Sequence, residues 1–122
     1  MDIIISNASP VPIYSQICRQ IKTYITAGVL VSGEGLPSIR ALAQDLRISV
    51  ITTKRAYEEL EREGFIETVP GKGSFVANIQ PQRLREIALR RMEEQLISAV
   101  ELAKDAGISK EEAIASLDAL FE

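Results

Sequence analysis

The chain has 122 residues, 46% of them hydrophobic, and 14 Lys and Arg face 17 Asp and Glu for a formal net charge of −3. That length suffices for one ordinary domain, or for a small domain with an appendage that takes its core from a partner. No apolar run approaches the ~20 residues that span a bilayer, and the start, Met1-Asp2-Ile3-Ile4-Ile5, lacks the basic region of a signal peptide, so a cytoplasmic protein without membrane contact is expected.

Histidine is absent and Cys18 is the single cysteine. Imidazole-dependent triads, most zinc sites and any internal disulfide are therefore excluded, and neither an enzyme nor a cofactor is expected. Cys18 reads as a small core hydrophobe on the apolar side of a helix.

In chain order, Pro10 and Pro12 prohibit a helix before them and favour one from about Pro12, where a missing N–H costs nothing. Tyr14, Ile17, Cys18, Ile21 and Ile25 recur at helical spacing, and Gly28 closes this first helix. Val29 to Pro37, with Gly33, Gly35 and Pro37, reads as a loop. Ser38 is the N-cap of a second, short helix whose apolar stripe is Ile39, Leu42 and Leu46. After the tight turn Leu46-Arg47-Ile48, Ser49 caps a third helix. There Thr53, Ala56, Tyr57 and Leu60 follow i, i+3, i+4, i+7 toward the core, and Gly64 is the stop. The opposite face exposes Val50, Ile51, Thr52, Lys54 and Arg55. Phe65 to Val69 and Ser74 to Val76 are strand-like and joined by Pro70-Gly71-Lys72-Gly73, a hairpin whose tip carries one cation between two glycines.

Two short helices across a tight turn followed by a glycine-punctuated hairpin, from Leu36 to Val76, form the order of a winged helix-turn-helix. That module presents its third helix to the major groove of DNA. The negative net charge argues weakly against nucleic acid, but residues 1–78 carry eight basic and eight acidic residues while residues 79–122 carry six and nine. The acidic excess thus belongs to the tail. Arg40, Lys54, Arg55 and Lys72 fall on the segments a winged helix turns toward DNA, and screening limits exposed charge to a reach of ~8 Å.

Arg40, Lys54, Arg55 and the two wing glycines also have plainer roles open to them, whereas Lys72 shifts the balance toward phosphate contact. Arg40 could pair with Asp45 or Glu34 at the surface. Lys54 and Arg55 could form an ordinary solvated face supported by Glu58 and Glu59 at i+4, and Gly71 and Gly73 serve a tight turn with or without DNA. The sequence GKGS is no nucleotide loop, because it lacks the earlier glycine and leads from a strand into a strand. A winged helix used for protein interaction is the alternative function; it would not need Arg40, Lys54 and Lys72 together.

The tail is expected to begin after a linker at Ala77 to Gln80, with a helix from Pro81 to about Ala106 ended by Gly107. Leu89, Met92, Leu96, Ala99, Ala103 and Ala106 step by three and four like a coiled-coil seam, and Ile97 and Val100 extend a second stripe. Ser109 and Glu112 form a capping box, with Ile108 and Ala113 placed as a staple, for a last helix from Lys110. Its stripe is Ala113, Ile114, Leu117, Leu120 and Phe121. Two such helices cannot enclose a core alone. A homodimer joined through Leu89, Met92, Leu96, Ala99, Val100, Ala103, Leu117, Leu120 and Phe121 covers them, and folding back onto the winged helix is the other solution. The organisation expected is a DNA-binding domain over residues 1–78 and a dimerisation tail over residues 79–122. The fold class is mainly α with a small β-hairpin wing. The tail has no concave domain for a metabolite and no His or Cys cluster for a metal, so the sequence specifies no effector.

The pattern LPSIRALA, then ISVITTKRAYEELEREGFI, then GKGSFV resembles the DNA-binding domain of the GntR family of bacterial transcription regulators. PVPIYSQICRQIKTYITAGVL is similar to that family's first helix, so the likeness covers about residues 10–78. The short helical tail resembles the YtrA subfamily, whose members are typically homodimeric repressors, often of ABC transporter genes. The resemblance implies that Ser38 and Arg40 contact phosphate or base. It also implies that Ser49 through Lys54 enter the major groove of a double-stranded operator and that Gly71, Lys72 and Gly73 follow the minor groove. Two positions depart from the family pattern: Val50 stands where many relatives carry a guanine-reading arginine, and Arg47 where a glycine is frequent. The first removes a bidentate contact worth ~1 to 3 kcal/mol of discrimination, and Val50 and Ile51 could touch thymine methyl groups instead.

Overall fold

The computed structural model describes all 122 residues. They form helices α1 (Ile13–Thr26), α2 (Ile39–Leu46) and α3 (Val50–Arg62), strands β1 (Ile66–Val69) and β2 (Gly73–Val76), and helices α4 (Pro81–Ala106) and α5 (Lys110–Leu120). Two compact units result, Met1–Pro81 and Gln82–Glu122.

The first unit is built on the predicted stripes. Ile17, Cys18, Ile21 and Ile25 of α1 are buried with Leu42 and Ala43 of α2 and Thr53, Ala56, Tyr57 and Leu60 of α3. Phe65, Ile66, Val76 and Ala77 close that core from the hairpin side, and Leu30 from the loop after α1. Removing a large aliphatic side chain such as Ile17, Ile21 or Leu60 from water is worth ~1.5 to 3 kcal/mol. Thr53, fully buried, satisfies its hydroxyl on the Ser49 carbonyl at 3.1 Å. At the far end of α3, Lys22 of α1 pairs with Glu63 at 2.7 Å and lies 5.4 Å from the centre of the Phe65 ring.

Four helices end in one motif. After α1, α2, α3 and α4 the residue at the end turns left-handed, and the following N–H bonds back to a carbonyl of the last turn: Val29 to Tyr24, Ile48 to Ala43, Phe65 to Leu60 and Ile108 to Ala103. The left-handed residue is Gly28, Gly64 or Gly107 in three of them, but Arg47, at φ 57°, in the fourth. It is the only non-glycine residue with positive φ in the chain, and it forms the turn of the helix-turn-helix.

β1 and β2 pair antiparallel with Ile66 opposite Val76 and Val69 opposite Gly73. Each strand is displaced by one residue from its predicted start, since Phe65 is used to close the α3 terminus and Gly73 joins the ladder. The stretch read as a loop before α2 joins this sheet in part: Gly33 N–H donates to the Val76 carbonyl, Val76 N–H to Glu34 and Leu36 N–H to Ser74, at 2.8 to 2.9 Å. Gly35 bridges Phe75 within that run, and a side chain at Gly35 would meet the Phe75 ring at 3.7 Å.

The N-terminal arm has an organisation the hydrophobic pattern did not announce. It runs along α1, held by a polar stripe at i, i+4 and i+8. The Gln16 amide accepts from the Ser6 N–H at 2.9 Å and donates to the Ser6 carbonyl at 3.0 Å. Gln20 does the same with Ile4 at 2.8 and 2.7 Å, and the Tyr24 hydroxyl donates to the Asp2 carbonyl. Each glutamine thus acts as one rung of a strand.

In the second unit the Ser109–Glu112 capping box opens α5 as predicted, with Ser109 accepting from Glu112 N–H at 3.1 Å. Neither α4 nor α5 has a buried residue. Leu89, Met92, Leu96, Ile97 and Val100 of α4 and Ile114 and Leu117 of α5 are all exposed, and Leu120 and Phe121 stand 82% and 84% open. Ala103 and Ala113 are half-buried, and Ala99 and Ala106 exposed.

Candidate nucleic-acid interface

Three segments of the first unit are tied together by the short run Leu36-Pro37. Its Leu36 N–H is bonded to Ser74 of β2, and its Pro37 carbonyl accepts from the Tyr57 hydroxyl of α3 at 2.7 Å. The lead into α2, the middle of α3 and the hairpin are therefore held in one frame by hydrogen bonds from a single junction. Burial raises the Tyr57 hydroxyl to about 12, so it stays protonated as the donor across the physiological range.

At the start of α2, Ser38 caps the helix by accepting from Ala41 N–H at 3.0 Å. A serine used this way keeps its own proton, which remains available to an acceptor outside the protein. Arg40 follows, exposed and without an ion pair; neither Asp45 nor Glu34 engages it, and the Glu34 carboxylate accepts from Val31 N–H instead.

At the start of α3, Ser49 accepts from Thr52 N–H at 3.0 Å and donates to the Thr52 hydroxyl at 2.8 Å. The Thr52 hydroxyl proton is then directed away from the cap. Val50 is exposed and Ile51 is 81% open, so two apolar side chains stand in water at the tip of the helix. Lys54 is exposed and reaches Glu58 only at 3.9 Å, a loose i,i+4 pair worth ~0.3 to 0.5 kcal/mol. Arg55 is not paired with Glu59, which is held by Arg62; its guanidinium carbon lies instead 3.9 Å from the centre of the Tyr14 ring on α1.

At the hairpin tip, Lys72 N–H donates to the Val69 carbonyl at 2.9 Å across Pro70-Gly71. With proline second and a glycine at φ 76° third, this is the pattern of a type II turn. No atom lies within 4 Å of where a side chain on Gly71 or Gly73 would begin, so backbone conformation, not crowding, requires glycine there. Lys72 is exposed and unpaired between them.

The arrangement is a set of outward hydroxyls, two unpaired cations and an apolar helix tip on one framework. Phosphate oxygens accept from such hydroxyls and cations, and base edges in the major groove offer methyl groups and acceptors to such a tip. Cys18 has no part in it: its thiol is 6% exposed, donates to the Ala56 carbonyl at 3.3 Å, and is pushed up to about 11 by burial.

Residues 13–76 match the family model described as bacterial regulatory proteins, gntR family. The chain belongs to the GntR family. It is a transcriptional regulator with that family's DNA-binding domain. It is 37% identical over 107 residues, 88% of this chain and 82% of the relative, to the HTH-type transcriptional repressor YtrA of Bacillus subtilis (strain 168). An alignment of that length must run beyond the 81 residues of the first unit, so this GntR member shares tail sequence with YtrA too. A GntR family transcriptional regulator from Listeria monocytogenes is similar at TM-score 0.81 and 31% identity, covering 93% of this chain and 97% of that one. The AraR DNA-binding domain in complex with operator ORX1 is similar at TM-score 0.56 and 25% identity, over 63% of this chain and 96% of that one. No helix of this GntR chain is long and apolar enough to cross a membrane.

Proposed function

We propose that the chain is a homodimeric repressor that binds an inverted repeat in double-stranded DNA. The observation that carries the reading is the pair of unpaired cations, Arg40 and Lys72, flanking the open helix tip Val50-Ile51-Thr52 on one hydrogen-bonded frame. In this reading Ser38, Arg40 and Lys72, with Gly71 and Gly73 giving backbone access, anchor to phosphate. Ser49, Val50, Ile51, Thr52 and Lys54 face the major groove. Val50 and Ile51 favour thymine methyl groups and hence an A/T-rich half-site.

Residues 1–78 act as the DNA-binding domain and residues 79–122 as the dimerisation tail. The support for the tail's role is its exposed apolar surface on α4 and α5, which water penalises and a second copy relieves. A dimer sets two recognition helices ~34 Å apart, one turn of DNA. By likeness to YtrA, a transporter operon of the ABC class is the regulated target.

The reading is tested by selecting duplexes from a random library with the full chain, together with sedimentation at micromolar concentration. The expected result is an inverted repeat bound with a steep loss of affinity as salt rises. Guanine dominating the positions beneath residues 50 and 51 contradicts the base preference, and a strict monomer contradicts the dimer.

A further inference from the structure

Arg55 is the one cation near the helix tip whose side chain is engaged by a ring rather than a carboxylate. It lies one turn after Ile51 on the exposed side of α3, where an unrestrained arginine would sweep the same face. Tyr14 belongs to a different helix, α1, so the 3.9 Å contact draws the guanidinium off that line toward the flank of α3. No carboxylate takes it, since Glu59 is occupied by Arg62 and Glu58 faces Lys54. A guanidinium held by its face on an aromatic ring keeps its in-plane N–H donors at the edge, the geometry that suits two phosphate oxygens.

We propose that Tyr14 is a positioning residue that holds Arg55 at the flank of the recognition helix for a bidentate contact to a DNA backbone phosphate, and away from the base edges. The role rests on the DNA-binding reading above. Pre-ordering matters because a free arginine must surrender rotamer freedom when it binds, and one already stacked surrenders less.

The test uses the full chain with a duplex selected from a random library and a scrambled duplex of equal length, over a salt series. Tyr14→Phe keeps the ring and should bind like the unsubstituted protein. Tyr14→Leu should lose ~2- to 5-fold in affinity on both duplexes alike, as expected for one exposed cation–ring contact. Arg55→Gln should lower the slope of log K against log salt by ~0.9, the signature of one phosphate contact, and Tyr14→Leu should then cost nothing further. An equal cost of Tyr14→Leu with and without Arg55 would overturn the proposal, as would a change in which duplex is preferred. Tyr14 is half-buried, so Arg55→Lys provides a readout that leaves it in place. That change keeps the charge but removes the flat fork, and should weaken both duplexes severalfold with the salt slope unchanged; unaltered affinity refutes the role. Failure of the unsubstituted chain to bind duplex DNA removes the DNA reading and this role together, whereas binding without Tyr14–Arg55 coupling removes this role alone.

Discussion

Arg47→Gly should stabilise the winged helix. Arg47 sits at φ 57°, ψ 46° as the left-handed residue after α2, and its side chain enters no ion pair that would compensate. A left-handed conformation costs an L-residue roughly 1 to 2 kcal/mol through its Cβ, while the greater freedom of glycine in the unfolded chain returns ~0.4 to 1 kcal/mol of that. The net gain should be about 0.5 to 1 kcal/mol, which on a unit of 81 residues raises the midpoint by ~3 to 6 °C. The protein has no tryptophan, and its three tyrosines, Tyr14, Tyr24 and Tyr57, all lie in the first unit. Tyrosine emission during thermal unfolding therefore reports that unit without interference from the tail. Arg47→Ala is the control, since it removes the charge and keeps the Cβ. If Arg47→Gly is no more stable than Arg47→Ala, the left-handed strain is not what limits this turn and the reasoning fails.

Three further outcomes are expected. Lys72→Ala should weaken binding to every duplex alike and reduce the salt slope by ~0.9, read by anisotropy titration; a changed sequence preference would contradict a phosphate contact. Truncation after Gln80 should leave a folded monomer with weak operator affinity, because each half-site is then bound without the gain in effective concentration; affinity equal to the full chain refutes this. Stability should fall as pH rises above the ordinary thiol value of 9.0 toward about 11, because folded Cys18 resists ionisation that the unfolded chain allows. Cys18→Ala should flatten that fall between those limits, and an unchanged pH profile would show that the thiol does not contribute.

The helices of the first unit were legible because their signals are local and redundant. Ser38 and Ser49 cap, Thr53 to Leu60 repeat at helical spacing, and Gly28 and Gly64 stop, each within a few residues of what it controls. What escaped were pairings between distant residues that periodicity does not encode. Gln16 and Gln20 carry no apolar signal, yet at i and i+4 they meet an isoleucine-rich arm ten or more residues earlier and substitute for a strand edge. Arg55 likewise looked equally suited to solvent, Glu59 or DNA, because the competition that frees it is settled by Arg62 and the ring that holds it is supplied by α1.

The tail shows the opposite case. Its stripes are as plain in sequence as those of the winged helix, and the helices form where Pro81, Gly107 and the Ser109–Glu112 box put them. Yet the same spacing that buries Ile17 and Leu60 leaves Leu96 and Leu117 in water. A hydrophobic period determines which face a helix must cover and says nothing about which chain covers it. For the first unit the covering elements lie in the same chain. In the second unit α4 and α5 bury no residue, and in the dimer proposed above their apolar period specifies a partner rather than a core.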